Sequence, residues 1–359
     1  MRYMDLFSGI GGFALGLRQA GIEFEEHWFS EIDKNAINIY KKHFPKAKEL
    51  GDVRTIRDFS GIKADIITFG FPCQDLSVAG KRRGLAGARS GLFFEAMRII
   101  RELKPQYFIF ENVKGLLTNN RGADFVRCLR EIADIGIYEC EWQLVNTRWV
   151  LPQNRERVYF VGRLGGQSGA KIFPLSCRNK EAANELSPSV RTFTATQYVK
   201  NKAGSYVMPN RMEQKESVNL FVYPRGNNKG GFKNVSNCPT ITGSSFEYNT
   251  SICPVLTPER ENKRQNGRRV KENGEPSFTL TTQDRHGIYD GQAIRRLTPL
   301  ECERLQGFPD GWTEYGADGR KMSDSARYKA LGNAVTVNFP RMIGEKIKPV
   351  DKIKKYSNN

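Results

Sequence analysis

Three histidines, His27, His43 and His286, are all that 359 residues contain, so a mechanism needing several imidazoles in one site is constrained. The seven cysteines, at 73, 128, 140, 177, 238, 253 and 302, include no CxxC pair. An odd set with that spacing missing speaks against a disulfide framework and against a zinc knuckle, and it leads us to expect a reducing compartment. No apolar run of about 18 residues occurs, the opening MRYMDLFSG has no charged-then-apolar leader, and the closing KIKKYSNN is polar. The expectation is neither a membrane protein nor a secreted one. GxGxxG is missing too, which leaves a pyrophosphate ligand without specific support.

What the chain does have is aromatic bulk and positive charge. With 22 Phe, 13 Tyr and 4 Trp it can build a packed core, and wholesale disorder is excluded. Its 56 Lys+Arg against 39 Asp+Glu give a formal charge of +17, a field that attracts polyanions, nucleic acid first among them. The length suits one large domain and a smaller one.

The first half alternates short apolar runs with amphipathic stretches. Strands are expected at Tyr3 to Phe7, His27 to Ser30, Ala64 to Phe69, Tyr107 to Phe110, Trp142 to Val145 and Val158 to Gly162. Helices are expected after the first glycine-rich turn (Phe13, Gly16, Leu17 and Ala20 on one face), at Lys34 to His43, at Leu92 to Leu103 and at Phe125 to Ile135. Strand, helix, strand repetition implies an α/β fold with a doubly wound parallel sheet. From 165 to 292 the texture turns to Ser, Thr, Asn, Gly and Pro, a second, smaller, mostly irregular or β domain. It carries three Thr-rich echoes, at 192–196, 239–242 and 278–282, which read equally as plain strand alternation or as a DNA-facing surface. It also carries a basic stretch from Arg260 to Lys271, which reads as a phosphate-tracking or merely solvated loop. Thr298-Pro299-Leu300-Glu301 has the form of a helix start, opening a connecting helical region over 293–309. The chain from about 310 to 359 is expected to rejoin and complete the first domain, residues 1–164.

Chemistry gathers where strands end. Clustered glycines in DLFSGIGG (5–12) let backbone pass close to a ligand, and Glu31, at the end of the second strand, is placed to hydrogen-bond ribose hydroxyls. Cys73, in GFPCQ (70–74), and Glu111, in ENV (111–113), each follow a strand in the same way. In a parallel sheet the carboxyl ends share one edge, so glycine turn, thiol and carboxyl should converge on one cleft. A thiolate can add to an electron-poor ring carbon while a carboxylic acid held protonated by burial donates to a ring nitrogen. Cytosine fits that pair: addition at C6 with a hydrogen bond at N3 makes C5 nucleophilic toward an electrophilic methyl group.

These strings, together with QNRER (153–157), RLTPLECERLQGFP (296–309) and ALGNAV (330–335), stand in an order that closely resembles the DNA (cytosine-5) methyltransferase family. The resemblance covers the chain to about 164 and again from about 293. It implies a Rossmann-like methyltransferase sheet with a target-recognition domain over 165–292. Cys73 is then the nucleophile and Glu111 the acid at N3, with Arg155 and Arg157 supporting the flipped base. The implied methyl donor is S-adenosyl-L-methionine, leaving S-adenosyl-L-homocysteine. Phe7, Gly9, Gly11 and Gly12 would line its methionine side, with Glu31 on the ribose and Ile32 on the adenine face, and Pro72 also belongs to the implied cofactor-binding set. Asp52 and Val53 would read the adenine edge, Leu92 would cover the pocket, and Asn333 and Val335 would close it. Ser77, Lys81 and Arg89, in a small, Gly-rich, basic stretch (77–91), are candidate phosphate contacts in a lid. No metal is implied.

The expected partner is double-stranded DNA, methylated at a specific site by a monomeric cytoplasmic, nucleoid-associated enzyme of bacterial or phage origin. A cognate restriction endonuclease is expected in the same restriction-modification system. An RNA cytosine-5 methyltransferase is the alternative, since the chemistry is identical. A zinc deaminase fails for want of HxE and PCxxC, and a nicotinamide dehydrogenase has no use for PCQ plus ENV. A basic DNA-binding module without catalysis is opposed by the intact Cys73, Glu111 and QNRER.

Overall fold

The computed structural model describes residues 1–71, 91–165, 171–175, 191–194, 221–222, 231–232, 253–256, 270–271, 275–282, 286–289 and 294–347. The chain divides into two compact units, one of 1–200, 279–283 and 298–359, the other of 201–278 and 284–297.

The first unit is built on a sheet of eight strands, β1 (Arg2–Leu6), β2 (Glu26–Ser30), β3 (Lys48–Glu49), β4 (Ile66–Phe69), β5 (Tyr107–Val113), β6 (Tyr138–Asn146), β7 (Glu156–Leu164) and β8 (Arg191–Thr194), in spatial order 3-2-1-4-5-7-6-8. Strands β1 to β5 are parallel, as expected, and are linked by α1 (Gly12–Gln19), α2 (Lys34–His43) and α3 (Leu92–Leu103). The far half corrects the all-parallel expectation: β7 is antiparallel to both β5 and β6, and β8 is antiparallel to β6. The reason is connection length. Residues 147–155 between β6 and β7 are too few for the crossover that a parallel neighbour requires, so the chain must turn back. Strand β6 also begins earlier than its apolar run. Glu139 lies within it because its carboxylate pairs with Arg163 at 2.6 Å, and Glu141 because its carboxylate accepts from the N–H groups of Ile172 (3.2 Å) and Phe173 (3.1 Å).

The phenylalanines are the core. Phe69, Phe110 and Phe160 stack across β4, β5 and β7 at ring separations of 4.9 and 4.2 Å, with Phe93 of α3 packed on them. Helix α4 (Ala123–Ile135) buries Phe125, Cys128, Leu129 and Ile132 in the same cluster. After 298 the chain adds α5 (Pro299–Gln306), α6 (Asp324–Asn333) and α7 (Asn338–Ile347). Thr298 and Glu301 form a reciprocal capping box with Pro299 in the first turn, the helix start expected from those residues. Helix α7 lies on α1, where a Cβ at Gly16 would stand 2.6 Å from Pro340 Cβ. In the second unit β11 (Cys253–Leu256), β12 (His286–Tyr289) and β13 (Ile294–Arg296) form an antiparallel sheet and β9 (Phe221–Val222) pairs with β10 (Gly231–Phe232). No helix among the described residues is long and apolar enough to cross a membrane.

Beneath the first loop lies a buried polar chain. Asp5 accepts from Tyr40 Oη (3.0 Å) and Thr68 Oγ1 (2.9 Å), Tyr3 Oη lies 2.6 Å from Thr68 Oγ1, and Tyr40 Oη lies 2.8 Å from His27 Nε2. Burial pushes Asp5 up to about 7 against the pull of those hydrogen bonds, and burial pushes His27 down to about 4. For Asp5 the folded chain holds a proton that the unfolded chain has released, so its stabilising share fades as pH rises from about 4 to about 7. For His27 the sign is opposite, and stability is lost as pH falls from about 6.5 toward 4. Asp5→Asn keeps both hydrogen bonds available, with Tyr40 Oη turned to donate to His27. It should remove the first slope and raise stability above pH 7 by about 4 kcal/mol at most. Thermal melting of both proteins from pH 5 to 8 checks this, and parallel curves would refute it.

Candidate active site

Because β1, β2, β4 and β5 run parallel, the loops leaving their carboxyl ends meet along one edge, where they line a cleft of about 670 Å³ within the first unit. Of the residues expected from sequence, Phe7, Gly9, Glu31, Ile32, Asp52, Val53, Leu92, Glu111, Arg155, Arg157 and Asn333 all line it. Gly11, Gly12 and Val335 stand behind the lining. A Cβ on Gly12 would lie 2.7 Å from Val335 Cγ2, and one on Gly11 2.6 Å from Phe44 Cε2, so these positions are packing surfaces that only glycine fits. Pro72, Cys73, Ser77, Lys81 and Arg89 lie outside the described residues, as does the rest of 72–90.

The turn after β1 takes left-handed backbone at every second residue, with φ of 52° at Phe7, 53° at Gly9 and 85° at Gly11. Glycine takes such values freely and Phe7 does not, so the turn needs external ties. Glu31 supplies one: Oε2 accepts from Gly9 N (2.9 Å), while Oε1 accepts from Ile32 N (2.8 Å) and Asp33 N (3.0 Å). Trp312 supplies another, donating Nε1 to Ile10 O at 2.9 Å while its ring stacks on His43 at 3.5 Å. Nothing local in the sequence announces that second tie.

At the mouth, Ile32 is 69% exposed, an aliphatic surface left bare beside the Glu31 carboxylate. Across from it Asp52 caps the turn Val53–Thr55 by accepting from Arg54 N at 2.9 Å, and the Arg54 side chain holds its carboxyl below the usual range. Lys329 of α6 reaches Asp33 at 2.5 Å, closing one side of the mouth.

Deeper in the cleft Glu111 is buried, 8% exposed, with Arg157 Nε 2.8 Å from its Oε1. Register explains the meeting. Val113 of β5 pairs with Arg157 of β7, so Glu111, two residues along β5, is its diagonal neighbour on one face. Glu111 therefore stands inside β5, which runs on to Val113, and not after the strand as expected; pairing with β7 keeps the ladder going past the apolar run. Asn112 donates Nδ2 to Phe71 O at 3.1 Å, fixing the backbone two residues before Cys73. Arg155 donates Nη1 to Leu280 O (3.0 Å) and Nη2 to Ala334 O (2.7 Å), and Gln153 bridges Leu305 O (2.8 Å) and Leu280 N (3.1 Å). Roles for Asn112 and Gln153 were not assigned from sequence, although both sit in the ENV and QNRER strings. The Asp33–Lys329 pair, like the tie from Trp312, joins distant stretches and leaves no local signal.

The arrangement pairs an exposed aliphatic platform flanked by carboxylates with a buried carboxyl and guanidinium that can hydrogen-bond a planar polar ring. Comparison with known proteins gives the family. A family model described as C-5 cytosine-specific DNA methylase matches residues 1–349. The orphan methyltransferase M.SPRI of Bacillus phage SPR is 32% identical over 94% of this chain and 95% of its own length. Type II methyltransferase M.HpaII of Haemophilus parainfluenzae is 32% identical over 96% of this chain and 88% of its own. Among solved structures, a putative DNA modification methyltransferase encoded within an E. coli prophage superposes with a TM-score of 0.55 at 21% identity, covering 96% of this chain and 98% of that one. S. pombe Dnmt2 methyltransferase gives 0.55 at 17% identity over 98% of this chain and 100% of that one. Both structures bear on the fold, a Rossmann-like methyltransferase sheet. On the extent of the family match and the identity of relatives along nearly the whole chain, this protein belongs to the C-5 cytosine-specific DNA methylase family and is a DNA (cytosine-5) methyltransferase.

Proposed function

We propose that the cleft carries a methyl group from S-adenosyl-L-methionine to C5 of a cytosine swung out of a specific duplex DNA site, through a bond between Cys73 and C6. The observation that carries this reading is the ion pair of buried Glu111 with partly buried Arg157, which lies in one cleft with Glu31, Ile32 and Asp52. The bare Ile32 face suits a purine ring, the Glu31 carboxylate suits ribose hydroxyls, and Asp52 with the Val53 N–H suits an adenine edge, so the residues fit the methyl donor. When bound it supplies an electrophilic methyl on a sulfonium.

The chain does the rest. The Cys73 thiolate forms the S–C6 bond, and the electron pair of the C5=C6 bond is pushed toward N3, where Glu111 supplies a proton. Arg157 holds the Glu111 carboxyl in place and presents its remaining N–H groups to the ring. C5 is then enamine-like and takes the methyl group. Loss of the C5 proton to a base in the cleft expels the Cys73 thiolate, and return of the N3 proton to the Glu111 carboxylate restores the neutral aromatic ring. Ser77, Lys81 and Arg89 contact DNA phosphates in this reading, and the target is read within residues 165–292. The enzyme acts as a cytoplasmic, nucleoid-associated monomer beside a cognate restriction endonuclease.

Expression in a methylation-free bacterium followed by genome-wide mapping of modified cytosines tests the function, and the expected result is one short motif. Modified cytosine in RNA alone would select the RNA-acting alternative. The cofactor assignment has its own check. Ile32→Ala should weaken S-adenosylhomocysteine binding about tenfold through lost apolar cover. Glu31→Ala should weaken it on the order of 100-fold, because the tie to Gly9 is lost as well. Calorimetric titration measures both, and unchanged affinity in either would move the nucleoside elsewhere.

A further inference from the structure

Trp312 is buried and is not among the residues that line the cleft, yet it reaches the turn that does. Its Nε1 donates to Ile10 O at 2.9 Å, while the N–H of Gly11, on the same peptide, donates to Ser8 O at 3.0 Å. Both polar atoms of the Ile10–Gly11 peptide are therefore held, with the carbonyl directed at the buried indole and not into the cleft that Ile10 helps to line. The plane needs holding, because a peptide beside a glycine at positive φ can turn over at little steric cost, and Gly11 is such a glycine. Trp312 is itself fixed from two sides. His43 Nε2 donates to Trp312 O at 2.7 Å, and the two rings stack at 3.5 Å within 5° of parallel. The buried Glu303 carboxylate accepts from Gly311 N (2.7 Å) and Thr313 N (2.8 Å), the residues on either side of Trp312, and pairs with Arg327 of α6 at 3.1 Å. A carboxylate without water demands that full set of donors, which pins the backbone that carries the indole.

We propose that Trp312 is a positioning residue for the methyl donor, its indole N–H holding the Ile10–Gly11 peptide in the orientation that the donor-binding turn requires. The inference rests on the reading of the cleft as the donor's site. Glu31 ties the same turn from the cleft side, at Gly9 N, and Trp312 ties it from behind the cleft wall. Without the indole N–H the buried Ile10 carbonyl loses its donor from residue 312, and the peptide turns to find another. Only the molecules that keep the original orientation then bind the donor tightly, so the apparent affinity falls by their fraction. The chemical step is spared, since Glu111 and Arg157 stand on β5 and β7 and the turn is back in place once the donor is bound. Trp312 therefore acts on donor affinity through the turn and not on the reacting atoms.

The test is calorimetric titration of the full chain with S-adenosylhomocysteine, comparing wild type, Trp312→Phe, and protein carrying benzothienylalanine at position 312, an isostere in which sulfur replaces the indole N–H. Phenylalanine removes the donor and keeps a ring against His43. The isostere removes the donor and keeps the whole shape, so it carries the comparison should Trp312→Phe fail to fold. Both are expected to weaken binding about fivefold. KM for S-adenosylmethionine should rise by the same factor, with kcat at saturating donor retained. A residue that serves packing alone would lower the melting temperature, or the number of binding sites per chain, and leave the dissociation constant of the folded molecules where it was. That result would overturn the inference. So would a fall in kcat at saturating donor with the dissociation constant intact, which would put Trp312 on the chemical step. Wild-type protein that does not bind S-adenosylhomocysteine would remove the reading of the cleft, and the inference with it. Binding in wild type that both altered proteins retain unchanged would remove the role of Trp312 alone.

Discussion

Cys73→Ser should lower methyl transfer by a factor on the order of 10⁴ or more while leaving S-adenosylhomocysteine affinity at the wild-type value. A serine hydroxyl is a poor nucleophile unless a base takes its proton, and among the described residues that line the cleft none is a histidine. His27 is buried against Tyr40 and His43 is stacked on Trp312, and neither lines the cleft. The affinity holds because the groups proposed to bind the donor come from other loops, those carrying Phe7, Glu31, Ile32 and Asp52. A duplex carrying 5-fluorocytosine separates the bond-forming step from turnover, since fluorine at C5 leaves no proton to lose. Wild-type enzyme should remain attached to it through denaturing electrophoresis and the variant should not. Continued turnover by Cys73→Ser would end the assignment.

Glu111→Gln is expected to slow single-turnover methylation by roughly 10²- to 10³-fold, with kcat and kcat/KM falling together. Glutamine keeps the shape and can still donate an N–H to N3, so the base remains bound. It cannot deliver a proton, so charge that builds on the ring during attack is left unneutralised. Arg157 keeps a polar oxygen at the same place, which limits the effect on the fold. Glu111→Ala is the poorer experiment because it leaves the partly buried Arg157 guanidinium without its ion-pair partner, which would mix instability with chemistry. Equal rates for Glu111→Gln and wild type would mean that the carboxyl serves only to hold Arg157.

The comparison of sequence with structure turns on what each kind of residue reports. Helices α2 and α3 were readable to their ends, since amphipathic spacing lies within each segment. The strands were readable as strands, and their parallel order on the glycine-turn side followed from the helices between them. What periodicity could not supply was direction beyond β5, because strand pattern is the same whichever way the chain runs and only the short 147–155 connection forces the reversal. Burial likewise cannot be read from polar identity, so Glu139 and Glu141 hid the true length of β6 until Arg163 and the 172–173 backbone were seen to satisfy them.

The sequence by itself determined the family. A thiol, a carboxyl, two arginines and a glycine turn sit in an order whose types and spacing have meaning without coordinates, because strand-to-loop junctions are local. The tertiary structure decided the division of labour. Glu111 and Arg157 meet across two strands, Lys329 reaches Asp33, Trp312 steadies Ile10, and Arg155 grips Leu280 instead of standing free. Those partners lie far apart in the chain, and contact between distant segments depends on register and packing, which no local pattern of side chains encodes.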